Sequence, residues 1–216
     1  MESAEKIIEI LQQRYNEKIY RAKPFRTLIG VILSHQTNDK ISWPATDRLF
    51  KIARTPEDFV KLGVKKIDAQ IKNVNYHPTK AKRIYAICKM LIERFGGRVP
   101  KTREELMELP GVGGKSASIV LSFGFGIPTI AVDTHTHRVS RRLGLVPLKA
   151  TPEKTRQILE EIILRKYHLI VNSAFVDFGR EICQARKPQC FRCPVYRFCK
   201  YEKKEYFKKL PQLSVL

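Results

Sequence analysis

The chain has 216 residues, 43% of them hydrophobic, with 11 Gly and 12 Pro, and this length allows one domain or two modest ones. Such a composition excludes collagen-like, low-complexity and largely disordered chains, because enough apolar surface exists to offset the entropy lost on folding. The 41 Lys and Arg against 21 Asp and Glu give a net charge of +20. That excess favours a polyanion as partner, nucleic acid or an anionic membrane face, over a basic surface that serves solubility alone.

No apolar run reaches the roughly 18 residues that a membrane span requires, and the first residues lack a secretory signal. We therefore expect an intracellular protein of the cytoplasm or nucleoid.

The first helix is expected from Ile7, Ile8 and Leu11, with Ser3 as its N-cap. Pro24 opens a second helix that is apolar nearly all round and therefore buried, until the chain turns polar at 34–39. That polar edge is a candidate site.

Capping signals place further helices along the chain. A threonine followed by acidic residues, in two cases with a proline directly after it, predicts helix starts at Thr55, Thr102 and Thr151. Cys88 lies in the apolar stripe of a helix that ends at the glycine pair 96–97, so we expect it to be a core residue. The segment 129–132 is the one short strand candidate. We predict an all-α fold.

Four cysteines lie close together near the C-terminus, with the spacing C-x6-C-x2-C-x5-C: Cys183, Cys190, Cys193 and Cys199. Disulfides are disfavoured because nothing marks the chain as secreted. Four thiolates suit a shared metal centre, and their spacing fits tetrahedral zinc and an iron–sulfur cube equally well. Arg186 and Lys187 are among the basic residues of this loop, and they either offset the charge of the centre or contact phosphate. We expect the centre to be structural.

The sequence Leu-Pro-Gly-Val-Gly-Gly-Lys-Ser at 109–116 looks at first like a phosphate-binding loop of an NTPase. That motif needs a glycine where the chain has Leu109, and it follows a strand, whereas the residues before 109 continue a capped helix. What remains is a helix, a tight glycine hairpin and a second helix. Such a hairpin presents backbone N–H groups to a phosphate, and its glycines Gly111, Gly113 and Gly114 permit close approach.

Lys115 lies in the first turn of the second hairpin helix. The positive end of the helix dipole disfavours an ammonium there and so favours the neutral amine, which is a nucleophile. Lys115 is equally well suited to contact a phosphate as a fixed cation. Asp133 is expected to cap the helix that follows it, or to act as a partly sheltered catalytic carboxylate.

These motifs together resemble the helix-hairpin-helix DNA glycosylases, most closely the endonuclease III group. The resemblance is carried by LPGVGGK at 109–115, VDTH at 132–135, the cysteine spacing, LSHQTND at 33–39 and KA at 80–81, so it covers almost the whole chain. It implies a six-helix barrel domain at 18–127. It also implies a discontinuous helical domain, formed by 1–17 and 128–216, that holds a 4Fe-4S cluster. DNA would lie across the cleft between the two.

The resemblance also implies roles for individual residues. Lys115 would attack C1′ of a flipped nucleotide, expel an oxidised pyrimidine and form a Schiff base that permits β-elimination of the 3′ phosphate. Asp133 would help deprotonate the lysine or stabilise positive charge on the sugar. Gln36 matches the residue that fills the space left by the flipped base. Where relatives usually have a glycine and an apolar wedge, the chain has Asn75, which tolerates a left-handed backbone, and Tyr76, which either stacks on a base or is an ordinary surface aromatic.

The implied activity is that of a bifunctional DNA glycosylase and AP lyase of base excision repair, with no membrane partner. It would act as a monomer on double-stranded DNA that contains damaged bases or abasic sites. The alternatives are a uracil or thymine mismatch glycosylase, a non-catalytic DNA-binding module and a cluster-containing NTPase. The residues expected to contact DNA are Gln36, Tyr76, Gly111, Gly113, Gly114, Arg186 and Lys187.

Overall fold

The computed structural model describes residues 2–15 and 21–213, and within these ranges it contains helices and no strand. The all-α prediction is confirmed. The α-helices are Glu2–Tyr15 (α1), Pro24–Ser34 (α2), Asp39–Ile52 (α3), Pro56–Gln70 (α4), His77–Phe95 (α5), Arg103–Glu108 (α6), Gly114–Ile119 (α7), Thr134–Leu143 (α8), Pro152–Ile162 (α9), His168–Glu181 (α10) and Lys204–Leu213 (α11). A π-helical segment, Val120–Phe125, continues α7. Among the described residues, none of these helices has the length and apolarity to cross a bilayer.

The chain forms two compact units, one of residues Tyr20–Ile127 and the other of Met1–Ile19 with Pro128–Leu216. Helices α2 to α7 belong to the first unit, and α1 with α8 to α11 belong to the second. Each unit has its own apolar core. The expected domain boundary between residues 17 and 18 lies outside the described residues.

Helix α2 is the centre of the 20–127 unit. Its residues Leu28, Ile29, Ile32 and Leu33 are fully buried, which explains why the sequence of this helix is apolar nearly all round. The neighbouring helices α3, α5 and α7 and the π-helical segment pack around it. Because α2 is enclosed in this way, the chain can turn polar only where α2 ends, at Ser34.

The capping predictions are confirmed at three helices. The hydroxyls of Thr55, Thr102 and Thr151 accept hydrogen bonds from the backbone N–H groups three residues later, and Thr55 completes a capping box with Asp58. The prediction for Ser3 is wrong, because α1 already includes Glu2 and Ser3 therefore lies inside the helix.

The second unit is built around α10, whose Phe175 and Phe178 share a core with Ile7, Ile8 and Leu11 of α1. Within the described residues, the strand candidate 129–132 has no regular secondary structure and no strand partner. Side chains satisfy its backbone instead: the Ile130 N–H donates to Glu160 Oε1 at 2.9 Å, and Asn172 Nδ2 donates to the Ala131 carbonyl at 2.8 Å. The strand interpretation is therefore wrong, because these side chains replace a neighbouring strand.

Candidate functional site

The hairpin at 109–114 joins α6 to α7. Gly111 has a φ of +77°, and a Cβ at this position would overlap the guanidinium of Arg83, so the turn requires glycine. Gly113 has ordinary extended backbone and caps α7, and nothing lies within 4 Å of the place where its Cβ would be. The hairpin therefore offers a bare, exposed backbone with the positive charge of Arg83 packed directly against it.

The N–H groups at the start of α7 have no side-chain cap in the part of the chain that the structure describes. The first N–H groups of a helix have no acceptor within the helix, and Gly113 has no side chain to supply one. Arg103 braces the helix by donating to the Gly114 carbonyl at 2.6 Å and to the Ser118 hydroxyl at 2.8 Å. A fixed set of N–H donors at a helix start is suited to bind an anion such as phosphate.

Lys115 is the second residue of α7, which confirms the first-turn position that the sequence predicts. Its side chain is exposed and forms no hydrogen bond or ion pair with the described residues. The amine is thus available to a ligand, either as a cation or as a nucleophile.

Asp133 caps α8. Its Oδ1 accepts a hydrogen bond from the Thr136 N–H at 2.7 Å, and the side chain is half-buried. The capping role is confirmed. The segment 129–132 is held by Glu160 and Asn172, and this fixes the position from which Asp133 begins the helix.

The polar edge after α2, residues 34–39, is called here the insertion loop. Gln36 at its tip is exposed and has a φ of 51°, in the left-handed region. Asn75 Nδ2 donates to the Gln36 carbonyl at 2.6 Å. Lys80 Nζ donates to the Leu33 carbonyl at 2.8 Å, to the His35 carbonyl at 2.5 Å and to Thr37 Oγ1 at 2.9 Å. That Asn75 and Lys80 organise this loop was not predicted from the sequence, because their partners lie about forty residues away along the chain.

Lys80 is only 3% exposed, and burial, together with the charge of Arg83, lowers its pKa to about 8. With three oxygen acceptors around it, Lys80 remains an ammonium at neutral pH. The pKa of His35 is also lowered, first by burial and then by the positive charges of Lys80, Arg83 and Lys115. The imidazole of His35 is therefore neutral where its Nε2 forms a hydrogen bond with the Ser116 hydroxyl, at 3.0 Å.

Tyr76 precedes α5 and exposes 66% of its surface. It is Tyr76, with a φ of 59°, that takes the left-handed conformation considered for Asn75. Asn75 instead uses its side chain to bond the insertion loop. The exposure of Tyr76 suits contact with a ligand, as the sequence interpretation allowed.

Four of the five cysteines, all free thiols, line one concave space that is partly open to solvent: Cys183, Cys190, Cys193 and Cys199. In the described part of the chain, no group of three or more His, Cys, Asp or Glu side chains is placed to hold a single metal ion. Cys88, the fifth cysteine, is fully buried in the core of the other unit, as predicted.

The chemistry of these thiols fits a cationic metal centre. Burial, followed by the charge of neighbouring cysteines, raises the pKa of Cys190 to about 11. Burial likewise raises the pKa of Cys193 to about 12 and that of Cys199 above its usual value. Four thiolates in so sheltered a space would repel one another unless a cationic centre neutralised them, and a bound metal deprotonates a coordinating thiol outright.

Arg142, in the last turn of α8, holds the loop that follows Cys183. Its guanidinium donates to the Gln184 carbonyl at 2.7 Å and to the Ala185 carbonyl at 2.8 Å, and it lies 3.5 Å from Cys183 Sγ. Arg186 and Lys187 come directly after these carbonyls, and both are exposed. Arg142 carries no sequence signal for this role, because the role depends on a contact about forty residues along the chain.

A family model described as HhH-GPD superfamily base excision DNA repair protein matches residues 29–165. The chain belongs to this superfamily. Endonuclease III of Thermotoga maritima is 39% identical to it over 197 residues, 91% of this chain and 92% of the relative. Endonuclease III of Bacillus subtilis is 36% identical over 183 residues, 85% of this chain and 84% of the relative. The HhH-GPD membership predicted from the motifs is thereby confirmed.

Solved structures agree with this HhH-GPD assignment. A trapped covalent intermediate of endonuclease III with DNA matches with a TM-score of 0.82 at 36% identity, covering 92% of this chain and 95% of that chain. A thermostable thymine-DNA glycosylase has the same TM-score at 23% identity, with 94% and 98% covered, and so shares the fold. The HhH-GPD protein described here is a DNA glycosylase/AP lyase of base excision repair. The mismatch-glycosylase and non-catalytic alternatives are not favoured.

Proposed function

We propose that this enzyme removes oxidised pyrimidines from duplex DNA through a Schiff base on Lys115. The observation that carries the proposal is the exposed Lys115 side chain, which has no partner among the described residues and lies in the first turn of α7 beside a bare hairpin. A phosphate held by the hairpin N–H groups would bring a nucleotide within reach of this amine. DNA as the partner also accounts for the net charge of +20. We infer from it a place in the cytoplasm and nucleoid.

The chemistry has two stages. The neutral amine of Lys115 attacks C1′, the glycosidic bond breaks, and the base leaves with a proton. The sugar ring opens to a Schiff base, which acidifies C2′; loss of a C2′ proton and cleavage of the C3′–O3′ bond then release the 3′ phosphate. Water finally hydrolyses the Schiff base and restores the amine. Asp133 supplies a carboxylate that accepts the lysine proton or stabilises positive charge on the sugar.

Several groups of this chain would contact the DNA. We propose that the hairpin binds backbone phosphate through N–H groups at 111–114, and that Arg83 adds a cation to the same hairpin. Arg186 and Lys187, exposed beside the cysteines, contact phosphate as well. Gln36 fills the space left by the extruded nucleotide, and Tyr76 stacks beside it.

Borohydride trapping tests the nucleophile. Sodium borohydride reduces a Schiff base, so a duplex with one oxidised pyrimidine should become covalently attached to the wild-type protein. Lys115→Gln should abolish trapping while most of the DNA binding remains. The matched control is Lys82→Gln, which removes another exposed lysine of the same unit and should trap normally. Normal trapping by Lys115→Gln would identify another amine as the nucleophile and leave Lys115 as a phosphate contact.

For the metal centre, we propose a 4Fe-4S cluster rather than a single zinc ion, because the four cysteines line one space and their spacing is that of the endonuclease III pattern. Cys183, Cys190, Cys193 and Cys199 would hold the cluster, and Arg142 would donate to a thiolate. When bound, the cluster would offset part of the negative charge of the four thiolates and would order the loop that presents Arg186 and Lys187. The two compact units would be the barrel domain at 18–127 and the cluster domain at 1–17 and 128–216 of a monomeric enzyme.

Metal analysis tests this assignment. Protein prepared without oxygen should be brown and contain about four irons per chain. Cys190→Ser should lose iron and weaken DNA binding more than it alters trapping at Lys115, because the loop that carries the basic residues is disordered. Cys88→Ala, a change at the cysteine outside the cluster, should keep its iron. Stoichiometric zinc without iron would show that the site is a zinc site.

A further inference from the structure

One side-chain hydrogen bond joins the insertion loop to the turn before α5. Asn75 Nδ2 lies 2.6 Å from the backbone oxygen of Gln36. A carbonyl oxygen can only accept, so the amide nitrogen of Asn75 must be the donor. The residue that follows Asn75 is the exposed Tyr76. A single asparagine thus connects the two side chains proposed to enter the DNA.

Both of these residues, Gln36 and Tyr76, have an unusual backbone conformation. In the described part of the chain, Gln36 and Tyr76 are the two residues other than glycine with positive φ, at 51° and 59°. Left-handed backbone is unfavourable for such residues and persists where the surroundings hold it. Lys80 bonds the residues on either side of Gln36, at the His35 carbonyl and Thr37 Oγ1, and Asn75 bonds Gln36 itself.

We propose that Asn75 is a positioning residue that fixes Gln36 in the conformation in which it enters the gap left by an extruded nucleotide. This inference rests on the proposed function, in which Gln36 fills that gap. A loop that is already ordered loses less conformational entropy when it binds, so the bond increases the fraction of complexes in which Gln36 is inserted. Because Asn75 adjoins Tyr76, the two side chains enter the duplex as one unit.

The test uses binding without chemistry. A duplex carries a tetrahydrofuran abasic analogue opposite 2-aminopurine, whose fluorescence reports whether a side chain occupies the gap. Asn75→Asp keeps the size of the side chain and removes the donor. The matched control is Asn73→Asp, the same change at an exposed asparagine of the same turn; Asn73 accepts a hydrogen bond from Arg48 at 2.6 Å, and an aspartate would continue to accept it.

We expect Asn75→Asp to lower the ratio of inserted to withdrawn Gln36 by about 3- to 10-fold, the effect of losing one hydrogen bond, with Asn73→Asp unchanged. In a Gln36→Ala background, Asn75→Asp should alter the fluorescence no further and should raise the Kd for this duplex no more than Asn73→Asp does, because the added charge is the same and Asn75 acts through Gln36. Equal effects of the two Asp variants, or an undiminished loss in the Gln36→Ala background, would overturn the proposal.

Excision of an oxidised pyrimidine by the wild type is measured separately. Its absence would contradict the proposed function, while the fluorescence comparison would still decide the role of Asn75.

Discussion

Asp133 combines two roles that single substitutions can separate. The carboxylate caps α8 through the Thr136 N–H, and we propose that it also supplies negative charge to the reaction. Asparagine is as good an N-cap as aspartate but carries no charge. Asp133→Asn should therefore slow base release in single-turnover experiments by roughly 10² to 10⁴, with little change in melting temperature.

Asp133→Ala is the companion to this experiment. It removes the cap as well as the charge, so it should also lower the free energy of unfolding by about 1 kcal/mol. An Asp133→Asn protein with normal base release would limit Asp133 to its structural role.

Among the connections between elements, His35 links the insertion loop to α7 through Ser116. In the folded protein the pKa of His35 is lowered by burial and by Lys80, Arg83 and Lys115. As the pH falls through the usual histidine pKa of about 6.5, the unfolded chain takes up a proton at His35 that the folded chain does not bind. The contribution of His35 to stability is thus present above that pH and is lost below it.

This linkage predicts a pH-dependent difference between variants. Urea unfolding at pH 7.5 and at pH 5 should show a larger loss of stability for the wild type than for His35→Gln, whose amide can still contact Ser116 but does not titrate. The difference between the two proteins isolates His35 from every other group that titrates in this range. Parallel pH dependence of the two proteins would mean that His35 is protonated as readily when folded as when unfolded.

At the scale of the whole molecule, the net charge of +20 predicts that phosphate contacts dominate DNA affinity. Neutralising about six phosphates gives a slope near about −5 in a plot of log Kobs against log salt. Arg83→Ala and Lys187→Ala should each make the slope less steep by roughly one unit and change lesion preference little. Lys82→Ala serves as the control cation and should leave the slope unchanged. A flat salt dependence would exclude this electrostatic interface.

The sequence by itself determined the features that depend on neighbours along the chain. The threonine caps, the capping role of Asp133, the hairpin turn at Gly111 and the place of Lys115 in a first turn each involve residues within a few positions of one another. Local hydrogen-bond and steric rules are sufficient for these features. The assignment of Ser3 as an N-cap is wrong because serine also occurs inside helices. The local sequence does not distinguish a serine inside a helix from one at its N-cap.

Only the tertiary structure decided how these local features are held. Asn75 bonds Gln36 across 39 residues, Lys80 bonds Leu33 across 47, and Arg142 bonds Gln184 across 42. Each bond joins a side chain to a backbone carbonyl, an acceptor that every residue carries, so sequence pattern does not single out the partner. The segment 129–132 also depends on residues distant in sequence. Its local pattern suggested a strand, but its backbone groups bond the side chains of Glu160 and Asn172 and not a neighbouring strand. Residue type and spacing determine the chemistry of the site. Tertiary packing determines which distant donors and acceptors form the hydrogen bonds that stabilise the site.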